Sequence, residues 1–146
     1  TGTLHLQDRL FQTLSGGEKQ RVVIAASLAQ LRNGGGGAAR SVLLLDEPTT
    51  ALDLGYQLEA AALLRDLQRR LPLTIVISTH DLNFAAGLCR TLLLLRDGRV
   101  VGSGPTNDVL TREAVRSLYG VDADVRHHER AGHLVVVPVE RVREAR

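Results

Sequence analysis

Runs of apolar residues alternate along the chain with stretches in which apolar positions repeat at helical spacing. Residues 41–45 are a run of branched and aliphatic side chains, the pattern of a strand covered on both faces of a parallel sheet, and residues 73–78 predict a second buried strand. Residues 54–71 between them mix apolar and polar positions as a helix does, and Pro72 closes that helix. Strand–helix–strand order of this kind predicts an α/β fold with a largely parallel sheet.

A further helix is predicted near the start of the chain. Ser15 and Glu18 have the S-x-x-E spacing of a capping box. Residues 22–31 are almost wholly apolar, which predicts a helix buried on most of its surface. Asn33 and the glycines at 34–37 then end the helix in a flexible linker.

The last part of the chain predicts short elements and two hairpins. Asp97-Gly98 is a two-residue hairpin signal, and a second turn is expected near Ala131-Gly132. In order, we expect a helix at 82–89, strands at 91–95 and 99–101, a helix from the Thr111 cap to Tyr119 that Gly120 stops, and a terminal hairpin at 121–139.

Composition limits the kinds of partner and the cellular compartment that we expect for this protein. A balance of 18 basic against 16 acidic residues, with 3% aromatic residues, argues against a nucleic-acid partner. No apolar run is long enough to span a membrane, and no signal segment opens the chain, so we expect a cytoplasmic protein. The single cysteine, Cys89, excludes an internal disulfide. Because 146 residues can form one domain or part of one, and the first is Thr1 rather than Met, we expect a piece of a longer protein.

Two groups of residues suggest phosphate chemistry. Gly16 and Gly17 lie at a predicted helix start, where free N–H groups and the helix dipole favour an anion, and the Ser15 hydroxyl adds a donor. The alternative is a well-capped helix without a ligand. Asp46-Glu47 end one predicted parallel strand and His80 follows the next, so these side chains are expected at one sheet edge. Taken singly, an Asp-Glu pair in this position is more often part of a loop or helix cap, and a His after a strand is usually a surface or satisfied polar residue.

The motifs together carry a family resemblance. Leu14–Arg21 reads Leu-Ser-Gly-Gly-Glu-Lys-Gln-Arg and resembles the signature motif of ATP-binding-cassette (ABC) ATPases. Residues 43–48 resemble their Walker B element, residues 48–53 their D-loop, and His80 their switch histidine, in the order of the family. The resemblance implies a partial P-loop NTPase-like ABC fold: the signature helix, the C-terminal half of a mainly parallel sheet, and a small terminal hairpin.

The resemblance also implies roles for these residues, with ATP and Mg²⁺ as ligands. Glu47 would be the general base, His80 would sense the γ-phosphate, and Asp46 would hold Mg²⁺, usually through water. The remaining residues would face the ATP bound to the opposite subunit or lie at the dimer interface; they are Ser15, Gly16, Gly17, Gln20 and Asp53.

Part of the family pattern is absent from the sequence. No G-x-x-x-x-G-K-[ST] loop occurs, and the glycines at 34–37 follow a helix, precede a strand and include no Lys. We therefore expect the Walker A and Q-loop portion to lie in missing N-terminal sequence and the 146 residues alone to be inactive. The expected division is 1–33 for the signature region, 41–120 from Walker B to the C-terminal helix, and 121–146 for the hairpin and tail.

Residues beyond His80 favour one subgroup. The segments that carry the resemblance are similar to the ATPase subunits of importers for iron–siderophore complexes, haem and cobalamin; they are residues 79–83, 96–100, 104–105, 108–110, 118–121 and 135–138. This resemblance implies a second ATPase subunit as homodimer partner, a polytopic permease, an indirect substrate-binding protein and a place on the cytoplasmic face of a bacterial membrane.

Two alternatives remain open. A chromosome-maintenance or DNA-repair ATPase shares the signature and Walker B motifs, although this chain has neither sustained heptads nor cysteine pairs. The chain could also be a non-hydrolysing interaction module that keeps only the face presented to a partner's nucleotide.

Overall fold

A computed structural model describes residues 2–33, 41–50 and 52–142. The linker predicted at residues 34–37 lies outside these ranges. The chain divides into two compact units, Thr1–His80 and Asp81–Arg146. No helix within the described residues is long and apolar enough to cross a lipid bilayer.

The first unit carries the predicted strand–helix–strand order. Two short 3-10 turns, Leu4–Leu6 and Phe11–Thr13, precede it and were not expected from the sequence pattern. The remaining elements are α1 (Gly16–Asn33), β1 (Ser41–Asp46), α2 (Leu54–Arg70) and β2 (Leu73–Ser78).

β1 and β2 form a parallel pair, as predicted. The register aligns Leu43 with Ile75 and Asp46 with Ser78. Since the strands run in the same direction and α2 connects them, both carboxyl ends lie at one edge of the sheet. This edge carries Asp46, Glu47 and the residues that follow Ser78.

The prediction that these strands are covered on both faces is wrong for the described chain. Leu43 and Leu45 are buried, whereas Leu44 between them is 72% exposed and Val76 on β2 is 50% exposed. Side chains alternate between the faces of a strand, and α1 and α2 contact the sheet on the face of Leu43 and Leu45. The described residues supply no layer for the face of Leu44.

The prediction of a largely buried α1 is also wrong. Among residues 22–30, whose side chains the structure describes, only Ile24 is buried, and Val23 is 45% exposed. α1 contacts α2 and β1, and these neighbours cover one stripe of the helix. An apolar sequence makes a helix suitable for burial on several sides, but the packed neighbours decide how many sides are covered.

The second unit is built from short helices and two antiparallel hairpins. The elements of this unit are α3 (Leu82–Leu88), β3 (Thr91–Arg96), β4 (Arg99–Pro105), α4 (Thr106–Val109), α5 (Arg112–Tyr119), β5 (Val121–His128) and β6 (His133–Arg141). β3 pairs with β4 and β5 pairs with β6, so the described sheets other than β1–β2 are antiparallel.

Most predicted boundaries in this unit are confirmed. Asp97 and Gly98 have φ of 50° and 72°, as a tight hairpin turn requires, and Gly120 ends α5 at φ 63°. The expected end of β4 at residue 101 is wrong, because the ladder with β3 continues to Pro105. The short helix α4 was not predicted.

One hydrophobic core holds the second unit together. Leu110 and Val115, exposed by only 1% and 2%, pack with residues from α3, β3, β5 and β6. Cys89 packs against this core, as expected of a core thiol, and burial raises its pKa. The second unit also contains a bidentate ion pair, in which Arg112 donates to both carboxylate oxygens of Asp122 at 2.7 and 2.8 Å.

Candidate functional site

The first turn of α1 is fixed by the predicted capping box. The backbone N–H of Ser15 donates to Oε2 of Glu18 at 2.8 Å, and the N–H of Glu18 donates to Oγ of Ser15 at 3.3 Å. Arg9 also donates to the Glu18 carboxylate at 2.9 Å. The backbone and hydroxyl hydrogen bonds from Ser15, and then the charge of Arg9, lower the pKa of Glu18. Glu18 is therefore ionised at neutral pH.

The capping box leaves donors at the start of α1. Within the described chain, the Ser15 hydroxyl accepts from the Glu18 N–H and is also hydrogen-bonded to the Glu18 carboxylate. The first amide of the helix ladder is that of Lys19, which donates to the Ser15 carbonyl, so the N–H groups of Gly16 and Gly17 make no backbone hydrogen bond there. Gly16 is exposed, so the backbone at this helix start can be approached. Free amides at a helix N-terminus attract anions.

Gly17 has a different environment from Gly16. It is buried, and an ideal Cβ placed on it would lie 2.7 Å from Cγ of Tyr56 on α2. The absence of a Cβ at position 17 therefore makes room for the aromatic ring of Tyr56. The sequence did not reveal this reason for a glycine here. Gln20, one turn further along α1, lines the same crevice between α1 and α2.

Asp53 caps the N-terminus of α2. Its Oδ1 accepts from the N–H of Tyr56 at 3.0 Å, and its carbonyl accepts from the N–H of Gln57 at 3.0 Å. Leu52, which precedes the cap, lines the crevice together with Gly17 and Gln20. The end of the predicted D-loop is thus bound to the start of α2 and lies next to the start of α1.

Asp46 and Ser78 are paired across the ends of β1 and β2. The Ser78 hydroxyl donates to Oδ1 of Asp46, whose side chain is exposed. The second carboxylate oxygen of Asp46 makes no hydrogen bond to the described residues. Mg²⁺ is typically held by one or two carboxylates together with waters and substrate phosphates, and this exposed carboxylate fits that chemistry.

Glu47 is held at both of its carboxylate oxygens. Oε1 lies 2.9 Å from Nδ1 of His80, and Oε2 accepts from the Thr50 hydroxyl at 3.1 Å. Its backbone has φ of 44°, an uncommon conformation for a residue with a side chain, and its N–H donates to the Ser78 carbonyl at 2.9 Å. Strained backbone of this kind persists only where the surroundings fix it, and it occurs often at active sites.

These contacts keep Glu47 ionised. The His80 hydrogen bond, followed by that of Thr50 and the charge of His80, lowers the pKa of Glu47 against the opposing effect of desolvation. A carboxylate that is charged at neutral pH can accept a proton or orient a water molecule.

The structure thus brings the predicted residues into two groups. Asp46, Glu47 and His80 lie at the carboxyl ends of β1 and β2. The other group lies where α1 meets the start of α2 and contains Ser15, Gly16, Gly17, Gln20 and Asp53. The side-chain and amide hydrogen bonds of Ser15 stay within the first turn of α1, so the structure does not join Ser15 to Glu47.

Sequence reasoning missed three residues of these groups. Thr50 is three residues after Glu47, a spacing at which a side chain reaches back across a turn, and this signal was available. Ser78 could be paired with Asp46 only once the strand register was known. Tyr56 gave no signal, because its contact with Gly17 joins separate helices.

The fold and the ordered motifs define a class, the ABC-type ATPases. No protein-family model matches the chain. A solved structure of a metal-chelate type ABC transporter in an inward-facing conformation superposes with a TM-score of 0.78 at 31% identity, covering 92% of this chain and 52% of that one.

Curated relatives make the classification more particular. The hemin import ATP-binding protein HmuV of Bordetella pertussis is 42% identical, covering 87% of this chain and 48% of that protein. The ferric enterobactin transport ATP-binding protein FepC of Escherichia coli is 38% identical, covering 97% of this chain and 49% of that protein. The chain therefore belongs to the ABC transporter ATP-binding proteins and spans about half the length of the curated relatives it matches.

Proposed function

We propose that this chain is part of the ATP-binding subunit of a bacterial ABC importer, which couples ATP binding and hydrolysis to uptake of haem, an iron–siderophore complex or a cobalamin-type compound. The observation that carries the proposal is the pairing of Glu47 with His80 beside Asp46 at one sheet edge. The named functions of the relatives, hemin import and ferric enterobactin transport, support haem and an iron–siderophore complex as the first two of these substrate classes.

The sheet-edge group would act on the nucleotide of its own subunit. Bound Mg²⁺, held by Asp46 through water, would neutralise charge on the phosphates. Glu47, ionised and fixed by His80 and Thr50, would orient a water molecule and accept its proton. His80 would leave its hydrogen bond with Glu47, or share it, to contact the γ-phosphate.

The signature group would act on the nucleotide of a second subunit. The N–H groups of Gly16 and Gly17, at the start of α1, are donors for which the described chain supplies no backbone acceptor. Asp53 and Gln20 lie where α1 meets the start of α2 and would form part of the dimer interface. We infer a homodimer that ATP closes, and a polytopic permease, on the cytoplasmic face of the membrane, that receives the motion; a substrate-binding protein would act indirectly.

A mixing experiment with whole subunits tests the arrangement. Ser15→Arg should block the donors of the signature and Glu47→Gln should remove the base, so each variant alone should lose ATP turnover. A mixed dimer contains one Ser15→Arg subunit and one Glu47→Gln subunit. One of its two sites then combines the intact Glu47 of the first subunit with the intact signature of the second. Turnover should therefore recover on mixing the two variants.

Two different affinity tags identify the mixed dimers, and Gln30→Arg, at an exposed position of the same helix, is the matched control for Ser15→Arg. Recovery supports a shared site. Mixed dimers that form but hydrolyse no ATP would contradict it.

The 146 residues by themselves should hydrolyse no ATP. Turnover by the purified chain would contradict the assignment of the phosphate-binding Walker A loop to other sequence.

A further inference from the structure

Tyr56 occupies the space that a side chain at position 17 would need. An ideal Cβ on Gly17 would lie 2.7 Å from Cγ of the Tyr56 ring and closer still to the ring edge. Carbon atoms that are not bonded to each other approach to about 3.5 Å at their optimum, so no Cβ fits while the ring is in place. The ring therefore packs directly against the backbone of α1 in its first turn.

The position of the Tyr56 ring is fixed from its own helix. The N–H of Tyr56 donates to the Asp53 carboxylate at 3.0 Å, and Gln57 next to it donates both to the Asp53 carbonyl and, through its side chain at 3.3 Å, to the Leu52 carbonyl. The first turn of α2 and the last residues of the preceding loop therefore move together. A displacement of that loop would displace the ring.

A second contact joins the same faces of the two helices. Arg21, one turn after Gly17, forms an ion pair with Glu59, nearly one turn after Tyr56. Both side chains are at least one-third exposed, so screening by solvent leaves this pair a small contribution. The close packing at Gly17 is the contact that fixes the distance between the helices.

We propose that Tyr56 is a positioning residue: its ring on Gly17 holds the first turn of α1, with Ser15 and Gly16, in register with the Asp53 loop. The donors of the signature and the D-loop then reach the partner's nucleotide as one piece. The catalytic consequence rests on the proposed function above, whereas the packing relation between Tyr56 and Gly17 stands without it.

A double-mutant cycle in the whole subunit tests the packing. Gly17→Ala should lower the thermal unfolding midpoint, because the new methyl group overlaps the ring. Tyr56→Ala removes the ring, so the double variant should be more stable than the two separate losses together predict. Gly16→Ala is the matched control, since Gly16 is exposed, and Tyr56→Ala should not compensate for it.

A second assay tells whether Tyr56 positions the signature or only stabilises the fold. It measures ATP-driven dimerisation in a Glu47→Gln background, where hydrolysis plays no part. Tyr56→Ala should raise the ATP concentration needed for dimerisation by roughly ten- to a hundred-fold, the scale expected for misplaced donors. Tyr56→Phe keeps the ring and should behave as the parent. Leu63→Ala, which lines the same crevice further along α2, should leave dimerisation near the parent value.

Each outcome decides one point. Additive losses in the unfolding midpoint would overturn the packing relation. Equal losses of dimerisation in Tyr56→Ala and Leu63→Ala would overturn the positioning role. If the parent subunit neither binds nor hydrolyses ATP, the proposed function fails, while the unfolding midpoints still report on Tyr56 and Gly17.

Discussion

Replacing Glu47 by Gln removes the proposed proton acceptor while it preserves the size of the side chain. In the structure, Oε1 of Glu47 faces Nδ1 of His80 at 2.9 Å and Oε2 accepts from the Thr50 hydroxyl at 3.1 Å. The Gln carbonyl can still accept from Thr50, and its amide can donate to a neutral His80. The local geometry should therefore survive, and only the capacity to take up a proton is lost.

The expected effect on turnover follows from that loss. A positioned general base contributes about 10²- to 10⁴-fold to a reaction rate, so turnover in the whole subunit should fall by that range. ATP binding should persist, because Asp46, Ser15 and the helix start are unchanged, and the ATP-bound dimer should accumulate.

Turnover is measured by phosphate release at saturating ATP, and dimer accumulation by size-exclusion chromatography with and without ATP. Glu113→Gln, the same change at an exposed position of α5, is the matched control and should hydrolyse ATP normally. An unchanged unfolding midpoint would show that Glu47→Gln is folded. Turnover within a few-fold of the parent in that folded variant would remove Glu47 from the role of base.

Two further predictions concern the pH dependence of activity and of stability. His80→Ala should lower turnover without unfolding the subunit; because His80 lowers the pKa of Glu47, its loss should also move the acidic limb of the pH–activity profile to higher pH. Arg112 lowers the pKa of Asp122 from its ordinary 3.8. The stability that this ion pair contributes is therefore complete above pH 3.8 and is lost as the pH falls through the lowered pKa of Asp122. Arg112→Gln should accordingly flatten the acid limb of thermal stability, measured from neutral pH down to about pH 2.

The stability prediction has a matched control, and each of the two predictions has an outcome that contradicts it. Arg130→Gln, in the exposed turn between β5 and β6, should leave the acid limb of stability unchanged. Normal turnover of His80→Ala with an unshifted pH profile would assign His80 to the protein surface rather than to the site. An acid limb of Arg112→Gln that matches the parent would show that the pair does not stabilise the folded state.

Features set by neighbours in sequence were predictable. The Ser15–Glu18 capping box, the Asp97-Gly98 turn and the stop at Gly120 each depend on groups within one turn of the backbone, and the structure has each where the sequence predicted it. Helix and strand identity followed from periodicity for the same reason. The candidate residues of the site were also found from motifs, although their roles stay predictions.

Features that depend on which surfaces meet were not predictable. An apolar run is compatible with one covered face or two, and only the packed helices decide that Leu43 is buried while Leu44 is exposed. Apolar residues on α1 likewise predicted more burial than the described neighbours provide.

The sequence by itself determined the class of this protein, because the signature, the Asp-Glu pair and His80 occur in the order that ABC ATPases share. Only the tertiary structure decided that His80 and Thr50 hold the two oxygens of Glu47, and that Tyr56 lies against Gly17. The physical reason is distance along the chain. A cap or turn is closed by residues a few positions apart, whereas the sheet-edge pair and the contact between α1 and α2 exist only after separate elements have packed.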